Sequence, residues 1–530
     1  MAVRTYSPDV ITAPTGDLDK HPKGLYALFA TEMWERFSFY SMLALFTLYM
    51  QDSKDGFSWT PAQATSLYAN YLMFVYASPL IGGWLADKVL GYRKAVMIGG
   101  FFFMAGHGLL SVPALWAVYA ALTCLVIGNG FFKPNVSTMV GNLYPEGSHL
   151  KDRAYNIFYM GINIGAFLAP VVMEIVKARW GFHPAFALAA FGMVISVSIL
   201  WKFKKIVEDP AVIEAKRSGK ALPTVGRGGE MEAVSDGKRI GALIVIFAIV
   251  IVFWMVFHQN GSTLTYWADD NTEWDVSGTI SNAINPFWIV TLTFPLVWFW
   301  RWLDRKGKEP ATPTKMAIGM TLTGLSFFIL FAAAKLGEAK EVRPEMLPSG
   351  SFRINERALD SLRASGVPQD VLDKIKNTKD ADGKFVVLDR KFTKNEKGTG
   401  EQNLVAALEQ LFPADVVARH RTALLNQGYL FVMSPFWLIL AYAVISLGEL
   451  MLSPMGLSLV SKVAPLRVRG LMMGGWFVAT AIGNKLTAIG VYWSIWRQST
   501  FFIILGGAAL VMAVVLTVLL KPLKKAMPGV

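Results

Sequence analysis

Long apolar blocks are the feature that most constrains this chain. Twelve such blocks run along the sequence, and each is close to the length of about 20 residues that a helix needs to cross a bilayer. Only 17% of the 530 residues are charged, which is too few to cover a soluble protein of this length. We therefore predict an all-α membrane protein with about 12 transmembrane helices. The predicted spans lie near 24–50, 62–87, 93–112, 114–140, 153–178 and 183–203, and near 240–265, 281–303, 314–336, 428–452, 470–493 and 499–520.

The distribution of basic residues predicts the orientation of the chain. A net charge of +13 would fit a nucleic-acid-binding protein. The bases, however, lie in loops between apolar blocks, so we predict no nucleic-acid partner. Basic loops mark the cytoplasmic side of a membrane protein, and their alternation places both termini in the cytoplasm. Lys177 and Arg179 fall on the opposite side, against the rule. The basic segments are 87–94, 202–239, 301–315, 461–469 and the tail after residue 520.

The sequence shows no signal peptide or organelle address and contains one cysteine. The segment through Lys23 is polar and the first apolar block is too long for a signal peptide. Together with the absence of an organelle address, this predicts a multi-pass protein of the plasma membrane, in particular a bacterial inner membrane. Cys124 is the single cysteine, so we expect neither a disulfide framework nor a cysteine-based metal site.

A polar stretch divides the spans into two sets of six. Residues 204–239 are predicted to be a cytoplasmic linker between bundles formed by 1–203 and 240–530. Trp84-Leu85-Ala86-Asp87-Lys88 and Trp302-Leu303-Asp304-Arg305-Lys306 follow the second span of each half. This echo predicts an internal duplication whose acids and bases lock helices together on the cytoplasmic side. The alternative is an ordinary charged helix end followed by a tight turn.

The second half carries a polar insert. Residues 337–427 are rich in Lys, Glu and Asp, with helical patterns near 355–376 and 402–425 and a short strand pattern at 385–388. We predict a small extracytoplasmic module between spans nine and ten, which splits the second bundle into 240–336 and 428–530. Its function is not readable from the sequence.

Ionisable residues inside apolar spans are the main candidates for function, because burying a charge in a membrane is costly. The first span carries Glu32, Glu35 and Arg36 within five residues. Glu32 and Arg36 are spaced to pair on one helix face, which leaves Glu35 in need of another partner. An acid that changes partner during a conformational cycle can bind and release a proton. The alternative is a static ion pair.

The fourth span adds a base. Lys133 precedes Pro134, which is expected to interrupt the helix and free backbone groups. Lys133 is predicted to lie in the bundle interior, where it can bind a carboxylate or pair with Glu35. The alternative is snorkelling to the interface.

Other polar residues inside the spans have two interpretations each. Glu449 in the tenth span has no obvious partner, so a cationic ligand is a natural one. Asn163 and Asn285 can bind an amide or can hold helices together. His258 in the seventh span can join a proton relay or can be a neutral hydrogen-bonded residue.

Several of these residues lie in motifs that resemble those of the proton-dependent oligopeptide transporter family (POT/PTR2) of the major facilitator superfamily. The resemblance runs over nearly all twelve spans, in the same order. It rests on Glu32-Met33-Trp34-Glu35-Arg36-Phe37-Ser38-Phe39-Tyr40, Gly82 through Asp87 with Gly91, Lys133-Pro134-Asn135, Phe158-Tyr159 with Ile162-Asn163-Ile164-Gly165, and Gly448-Glu449.

The resemblance implies a major facilitator fold and proton-coupled symport of di- and tripeptides by alternating access. It assigns Glu32, Glu35, Arg36 and Lys133 to proton coupling, with His258 as a further candidate.

Glu449 would receive the amino terminus of the peptide, and Lys133 its carboxylate. Asn163 and Asn285 would bind the peptide backbone, and Tyr40, Tyr76 and Trp476 would line the pocket. The implied partners are short peptides, protons and the lipid bilayer, with no cofactor and a monomer as the working unit.

The sequence departs from the family pattern at the outer gate. Many members carry an Arg where this chain has Leu43, and an acid at or beside His258. If those two pair, both are missing together, so the outer gate must close in another way. Many bacterial members also carry two extra helices between the halves, for which the linker is too short and polar.

Three alternatives stay open. The same fold can carry another solute, such as nitrate, an amino acid or a drug. A membrane enzyme would need a nucleophile, metal or phosphate-binding motif, and no HExxH, GxSxG or phosphate loop is present. A sensor would need a cytoplasmic output domain, and neither the linker nor the tail is large enough.

Overall fold

The computed structural model describes most of the chain. The described residues are 21–59, 61–144, 148, 150–207, 234–261, 263–272, 283–338, 350–353, 362–377, 389–392, 409, 413–431, 433–494 and 496–528. Most of the predicted linker and the strand pattern at 385–388 lie outside them. The helices of the first half are α1 (Lys23–Gln51), α2 (Pro61–Leu85, followed by a π-helical turn at Ala86–Leu90), α3 (Tyr92–Leu110), α4 (Leu115–Asn142), α5 (Leu150–Trp180) and α6 (Phe182–Lys202).

The second half is also helical. Its elements are α7 (Asp236–Phe257, followed by a 3-10 turn at His258–Gly261), α8 (Thr263–Asp270), α9 (Ile284–Arg305), α10 (Thr312–Glu338), β1 (Gly350–Arg353), α11 (Gln369–Asn377), β2 (Asp389–Phe392), α12 (Ala414–Gly428), β3 (Tyr429–Leu430), α13 (Pro435–Leu450), α14 (Ser453–Val463), α15 (Arg469–Leu486, with a 3-10 extension at Thr487–Ser494) and α16 (Gln498–Ala526).

A helix lies at the position of each predicted span. By length and hydropathy alone, seven of the described helical stretches can cross a membrane, so the number of crossings stays a prediction. They are Leu115–Asn142, Leu150–Trp180, Phe182–Lys202, Asp236–Thr265, Thr312–Glu338, Pro435–Val463 and Gln498–Ala526.

The predicted bounds of the tenth span are wrong. The helix begins at Pro435 and not at residue 428, because Tyr429 and Leu430 pair with β1 as a strand. Beyond Leu450 the chain continues as α14 to Val463. Ser434 supplies the start of α13, since its hydroxyl accepts the backbone N–H of Phe436 at 3.4 Å.

The helices form two bundles. In the first half α1 packs against α5 and α6, and α3 packs against α4 and α6. In the second half α10 packs against α13 and α16, and α7 against α15 and α16. The bundles meet where α2 packs on α15 and α5 packs on α9 and α14. We call the side that holds the turns 86–92 and 305–312 the inner side, which is the side predicted to be cytoplasmic.

Small residues allow the closest helix contacts. A Cβ atom at Gly82 of α2 would lie only 1.8 Å from the carbonyl oxygen of Gly130 on α4. Pro134 lies four residues after Gly130 and has no N–H to donate to that carbonyl. α4 nevertheless runs unbroken from Leu115 to Asn142. The expected interruption at Pro134 is therefore wrong: the helix loses one hydrogen bond and keeps its path.

The insert contains a small sheet. β1 pairs antiparallel with both β2 and β3, in the order β2-β1-β3. Asp389 and Phe392 end β2 and pair with Arg353 and Gly350. The helical patterns predicted near 355–376 and 402–425 coincide in part with α11 and α12.

Candidate functional site

Four charged side chains meet inside the first bundle. The guanidinium of Arg36 binds both carboxylate oxygens of Glu35. Arg36 Nε also lies 3.4 Å from Glu32 Oε1, and Lys133 Nζ lies 3.7 Å from the same oxygen. Both acids and Arg36 are buried, whereas the side chain of Lys133 is 17% exposed. The structure thus brings together all four residues that the family motifs assign to proton coupling.

The pairing within this cluster differs from the sequence-based expectation. Glu32 and Arg36 were expected to form the close pair, and Glu35 to need another partner. In the structure Glu35 is the close partner of Arg36, because the arginine side chain is long enough to reach back to its neighbour along the helix. Glu32 is left with two longer ion-pair contacts, to Arg36 and Lys133.

Lys133 lies in the bundle interior, as predicted. Its ammonium lies 5.5 Å from the centre of the Phe477 ring on α15, in the other bundle. The neighbouring Asn135 donates from Nδ2 to the Gly82 carbonyl at 3.2 Å and to the Phe131 carbonyl at 2.8 Å. Lys133 is therefore the member of the cluster that reaches the interface between the bundles.

Glu449 occupies the matching place in the second bundle. It is 3% exposed and accepts hydrogen bonds from the Tyr159 hydroxyl and from Asn285 Nδ2, the latter at 2.9 Å. Asn285 Nδ2 also lies 2.9 Å from Ser446 Oγ. Among the described residues no basic side chain pairs with Glu449, so its donors there are neutral.

Tyr159 was not among the predicted site residues, although its motif was recognised. It reaches Glu449 across the interface, from α5 to α13. The signal in the sequence was the Phe158-Tyr159 pair, but only the packing of the bundles shows where the hydroxyl goes.

Tyr40 lies near both charged groups. Its phenol interacts electrostatically with Arg36 and Glu35 of the first bundle and with Glu449 of the second. Tyr76 is a further neighbour of Tyr40, and its side chain faces Asn484 of α15. Both tyrosines are thus placed at the interface, as expected of residues that line a shared site.

Three other predicted site residues make their described contacts away from the charged groups. Asn163 Nδ2 donates to the Tyr159 carbonyl of its own helix at 2.9 Å. His258 lies 2.9 Å through Nδ1 from the Trp254 carbonyl and stacks on the Trp254 ring at 4.9 Å between centroids. Trp476 is 2% exposed and packs against Phe247 and Gly456. In this conformation these contacts hold the three side chains within their own bundles.

The two echoed acids make equivalent contacts on the inner side. Asp87 accepts the backbone N–H groups of Gly470 and Leu471, at 2.9 and 2.8 Å, and so caps the start of α15. Asp304 binds Arg153 near the start of α5. Each acid ends the second helix of one half and contacts the fifth helix of the other half. The acid of each echoed segment therefore holds a helix of the opposite half, and the duplication itself stays a prediction.

A second buried cluster lies on the inner side, and its residues are not among the predicted site residues. Asp152 of α5 accepts Lys315 Nζ, Lys462 Nζ and Ser458 Oγ, each at 2.6 Å. Thr312 Oγ1 lies 3.1 Å from both of its oxygens. These residues lie at the ends of apolar blocks, where a charge is ordinary, so their spacing gave no signal.

Two bundles of long apolar helices, with Glu449 on one side of their interface and Lys133 on the other, are the architecture of a multi-pass membrane protein. The chain belongs to the POT family: the PTR2 model of that family matches residues 93–215, 229–351 and 403–501. This confirms the family resemblance and the major facilitator fold. The family members to which the chain is similar are transporters, so the protein is a transporter and not an enzyme.

Individual relatives match along nearly the whole chain. The chain is 29% identical over 527 residues to a di-/tripeptide transporter of Lactococcus lactis subsp. cremoris, which covers 96% of this chain and 97% of the relative. It is 26% identical over 567 residues to an uncharacterized transporter, YclF, of Bacillus subtilis, with 96% of each chain covered. A crystal structure of a peptide transporter POT in complex with alafosfalin matches with 27% identity and a TM-score of 0.57, over 96% of each chain.

Proposed function

We propose that this protein imports di- and tripeptides together with protons, by alternating access between its two bundles. The observation that carries the proposal is the pair of oppositely charged groups on either side of the interface, the buried Glu449 and the partly buried Lys133. Glu449 offers a negative charge from the second bundle, and Lys133 a positive one from the first. A short peptide has an ammonium at one end and a carboxylate at the other, so it complements both.

Charge balance in the first bundle links the peptide to the proton. Glu32, Glu35, Arg36 and Lys133 sum to zero, so the cluster is neutral when both acids are ionised. A proton on one acid leaves one base in excess, and a single carboxylate neutralises that base. Buried charges need such compensation because an unpaired charge in a bundle interior is costly. Proton binding therefore favours binding of the peptide carboxylate.

The architecture supports a monomer as the working unit, since one chain supplies both bundles and both charged groups. An inside-negative membrane potential contributes about 2.3 kcal/mol per charge per 100 mV. Import of a zwitterionic peptide with one proton moves one positive charge inward, so the potential drives uptake against a peptide gradient.

The deciding experiment is uptake of labelled dialanine into liposomes that contain the purified protein. We expect accumulation with an acid-outside pH gradient and an inside-negative potential, and its collapse with a proton ionophore. Free alanine, nitrate and dialanine are then compared as unlabelled competitors. Competition by alanine or nitrate but not by dialanine would contradict the peptide proposal and favour another solute.

Proton coupling is tested at Glu35 and Glu32. Glu35→Gln and Glu32→Gln should each abolish uptake driven by the pH gradient, while peptide exchange without a gradient continues. The glutamine holds that position in the uncharged form of a protonated acid, so it can neither bind nor release the coupled proton. Glu174→Gln is a matched control, since Glu174 is an exposed acid that pairs with Lys177 elsewhere in the same bundle. Loss of exchange together with driven uptake would contradict the assignment.

A further inference from the structure

The buried cluster around Asp152 joins the two bundles on the inner side. We propose that Asp152 is the latch that holds the inner side closed, and that Glu309 is the acid that receives its lysines when the bundles separate. The proposal rests on the alternating access proposed above. It assigns opposite effects to two acids that lie in one cluster, and these effects are measurable without any peptide.

Asp152 is one of the residues through which the two halves contact each other on the inner side. It projects from α5 of the first bundle and is 1% exposed. Its four described partners, Lys315, Lys462, Ser458 and Thr312, all belong to the second bundle, on α10 and α14. A carboxylate with two ammonium groups at 2.6 Å forms strong charge-assisted hydrogen bonds. Moving α5 away from α10 and α14 must break all of these contacts together.

Glu309 provides the second partner that separation requires. It lies in the turn before α10 and accepts Lys315 Nζ at 2.6 Å. It also interacts electrostatically with Lys462. Glu309 and both lysines belong to the same bundle, so their relation survives when Asp152 leaves. Without it, two buried ammonium groups would lose their acid, which is far more costly than exchanging one acid for another.

Each half of the cluster is neutral by itself. Asp152 and Arg153 on the first bundle sum to zero. On the second bundle the two acids Asp304 and Glu309 balance Lys315 and Lys462. Counted over these six ion-paired side chains, separation therefore leaves no net charge on either bundle, although it breaks the hydrogen bonds between them. A contact that opens and closes repeatedly needs this balance, because each bundle must keep partners for its own charges when the other bundle leaves. A permanent contact between the bundles would not need such additional partners.

The two acids can be told apart by substitution. Asp152→Asn removes the charge that binds the second bundle and favours the open inner side. Glu309→Gln removes the reserve acid. In the closed state Glu309 also lies 3.6 Å from Arg153 of the first bundle. Without Glu309, however, Lys315 still binds Asp152 and Arg153 still binds Asp304 in that state, so the substitution removes more from the open state than from the closed one. Glu309→Gln should therefore favour the closed inner side, opposite to Asp152→Asn.

Accessibility of a cysteine at position 461 reports the state of the inner side. Ser461 of α14 is fully buried, and its hydroxyl lies 1.8 Å from where a Cβ of Gly141 on α4 would be. Separation of the bundles exposes this position. The reporter is Ser461→Cys in a Cys124→Ser background, labelled with a membrane-impermeant maleimide in inside-out vesicles without peptide.

We expect Asp152→Asn to raise the labelling rate at least threefold and Glu309→Gln to lower it at least twofold. Glu174→Gln removes an acid near the outer end of the same helix as Asp152 and should leave the rate unchanged. An unchanged rate for Asp152→Asn, or a rise with Glu309→Gln, would overturn the proposal.

A milder variant guards against misfolding. If Asp152→Asn does not yield a monodisperse protein, Ser458→Ala removes one neutral donor to Asp152 and should raise the rate by a smaller factor. No increase with that variant would also overturn the proposal. Because the readout needs no substrate, failure of peptide transport leaves this test intact and is distinguishable from failure of the latch.

Discussion

A buried carboxylate needs either a proton or a positive partner, and Glu449 meets only neutral donors among the described residues. The Tyr159 hydroxyl and the Asn285 amide orient its oxygens without compensating its charge. A cationic ligand would therefore be needed to compensate the charge of Glu449 when it is ionised. Under the proposed function, the ammonium of the peptide would supply that cation.

Glu449→Gln should weaken binding of dialanine about 10-fold to 100-fold. The amide has the shape of the carboxylate but not its charge, and a hydrogen bond to a charged group contributes about 1.5 to 3 kcal/mol. The measurement is inhibition of labelled-peptide uptake by unlabelled dialanine. N-acetyl-dialanine has no ammonium, so its inhibition should differ little between wild type and variant. An equal loss for both compounds would contradict a role for Glu449 in binding the ammonium.

His21 lies outside the predicted spans, just before α1, and its Nδ1 is 2.8 Å from the Tyr144 hydroxyl. Burial of the imidazole, together with the positive charges of Arg153 and Arg301, lowers the pKa of His21 to about 4. The folded protein therefore favours the neutral ring. Its contribution to stability is complete above the ordinary histidine pKa near 6.5 and is lost as the pH falls toward 4.

His21→Gln should accordingly make the protein less sensitive to acid. Between pH 6.5 and pH 5 the wild type should lose up to about 2 kcal/mol of stability through His21, and the variant should lose none of that part. The check is the apparent Tm of the detergent-solubilised protein at both pH values. A shift in Tm of equal size in both proteins would contradict this assignment.

Among the elements, α2 and α4 show how glycine sets the distance between helices. The carbonyl of Gly130 lies where a side chain at Gly82 would have to be. Neither backbone can move without shifting a full helix, since both positions lie inside long helices. The contact therefore fixes the spacing of the helices that carry Tyr76 and Lys133.

Gly82→Ala should destabilise the protein by about 1 to 3 kcal/mol, the usual cost of forcing a methyl group into a packed interior. Gly108→Ala is the matched control. It also lies inside a helix, but nothing is within 4 Å of its added Cβ atom, so the better helix propensity of alanine should leave stability equal or slightly higher. Thermal unfolding of both variants measures the difference. Equal melting of the two variants would contradict the close approach.

The elements were largely predictable from sequence, because an apolar block of about 20 residues has few alternatives to a helix. The errors are local. Pro134 was expected to break α4, but one missing donor is too small a loss to divert a helix packed on several sides. The apolar pattern predicts a start of α13 seven residues before Pro435, because the pairing of Tyr429 and Leu430 with β1 depends on distant residues that no local pattern contains.

At the scale of the whole molecule, the repeated halves make repeated contacts. Asp87 and Asp304 end equivalent helices and each contacts the opposite half. The two contacts differ in strength, however. Asp87 accepts two backbone N–H groups and the Tyr92 hydroxyl, whereas the side chain of Asp304 is 40% exposed. An exposed ion pair contributes little compared with a capped helix end.

Asp87→Asn should therefore open the inner side more than Asp304→Asn does. In the labelling assay at position 461, we expect a severalfold increase in rate for Asp87→Asn and less than a twofold increase for Asp304→Asn. The two variants serve as controls for each other, because they make the same chemical change at equivalent positions. A larger increase in labelling rate for Asp304→Asn than for Asp87→Asn would contradict the expectation that the more buried acid makes the stronger contact.

The candidate site was predictable only in part. Glu32, Glu35, Arg36 and Glu449 stand out because a charge inside an apolar block is rare. Their pairing depends on side-chain reach and on the packing of α5 against the second bundle, which no local pattern contains. Asp152 was missed for a related reason: a charge at the end of a span is common, and only the meeting of α5, α10 and α14 makes it buried.

The burial of Asp152, Lys315 and Lys462 also decides how dissolved ions act on the cycle. Each is at most 2% exposed in the closed form, so mobile ions cannot enter between the charges. Once the bundles part, water surrounds the same groups, and at cytoplasmic ionic strength a charge is screened beyond roughly 8 Å. If the proposed latch operates, dissolved salt therefore acts on these charges in the separated form only, and opening of the inner side should depend on ionic strength.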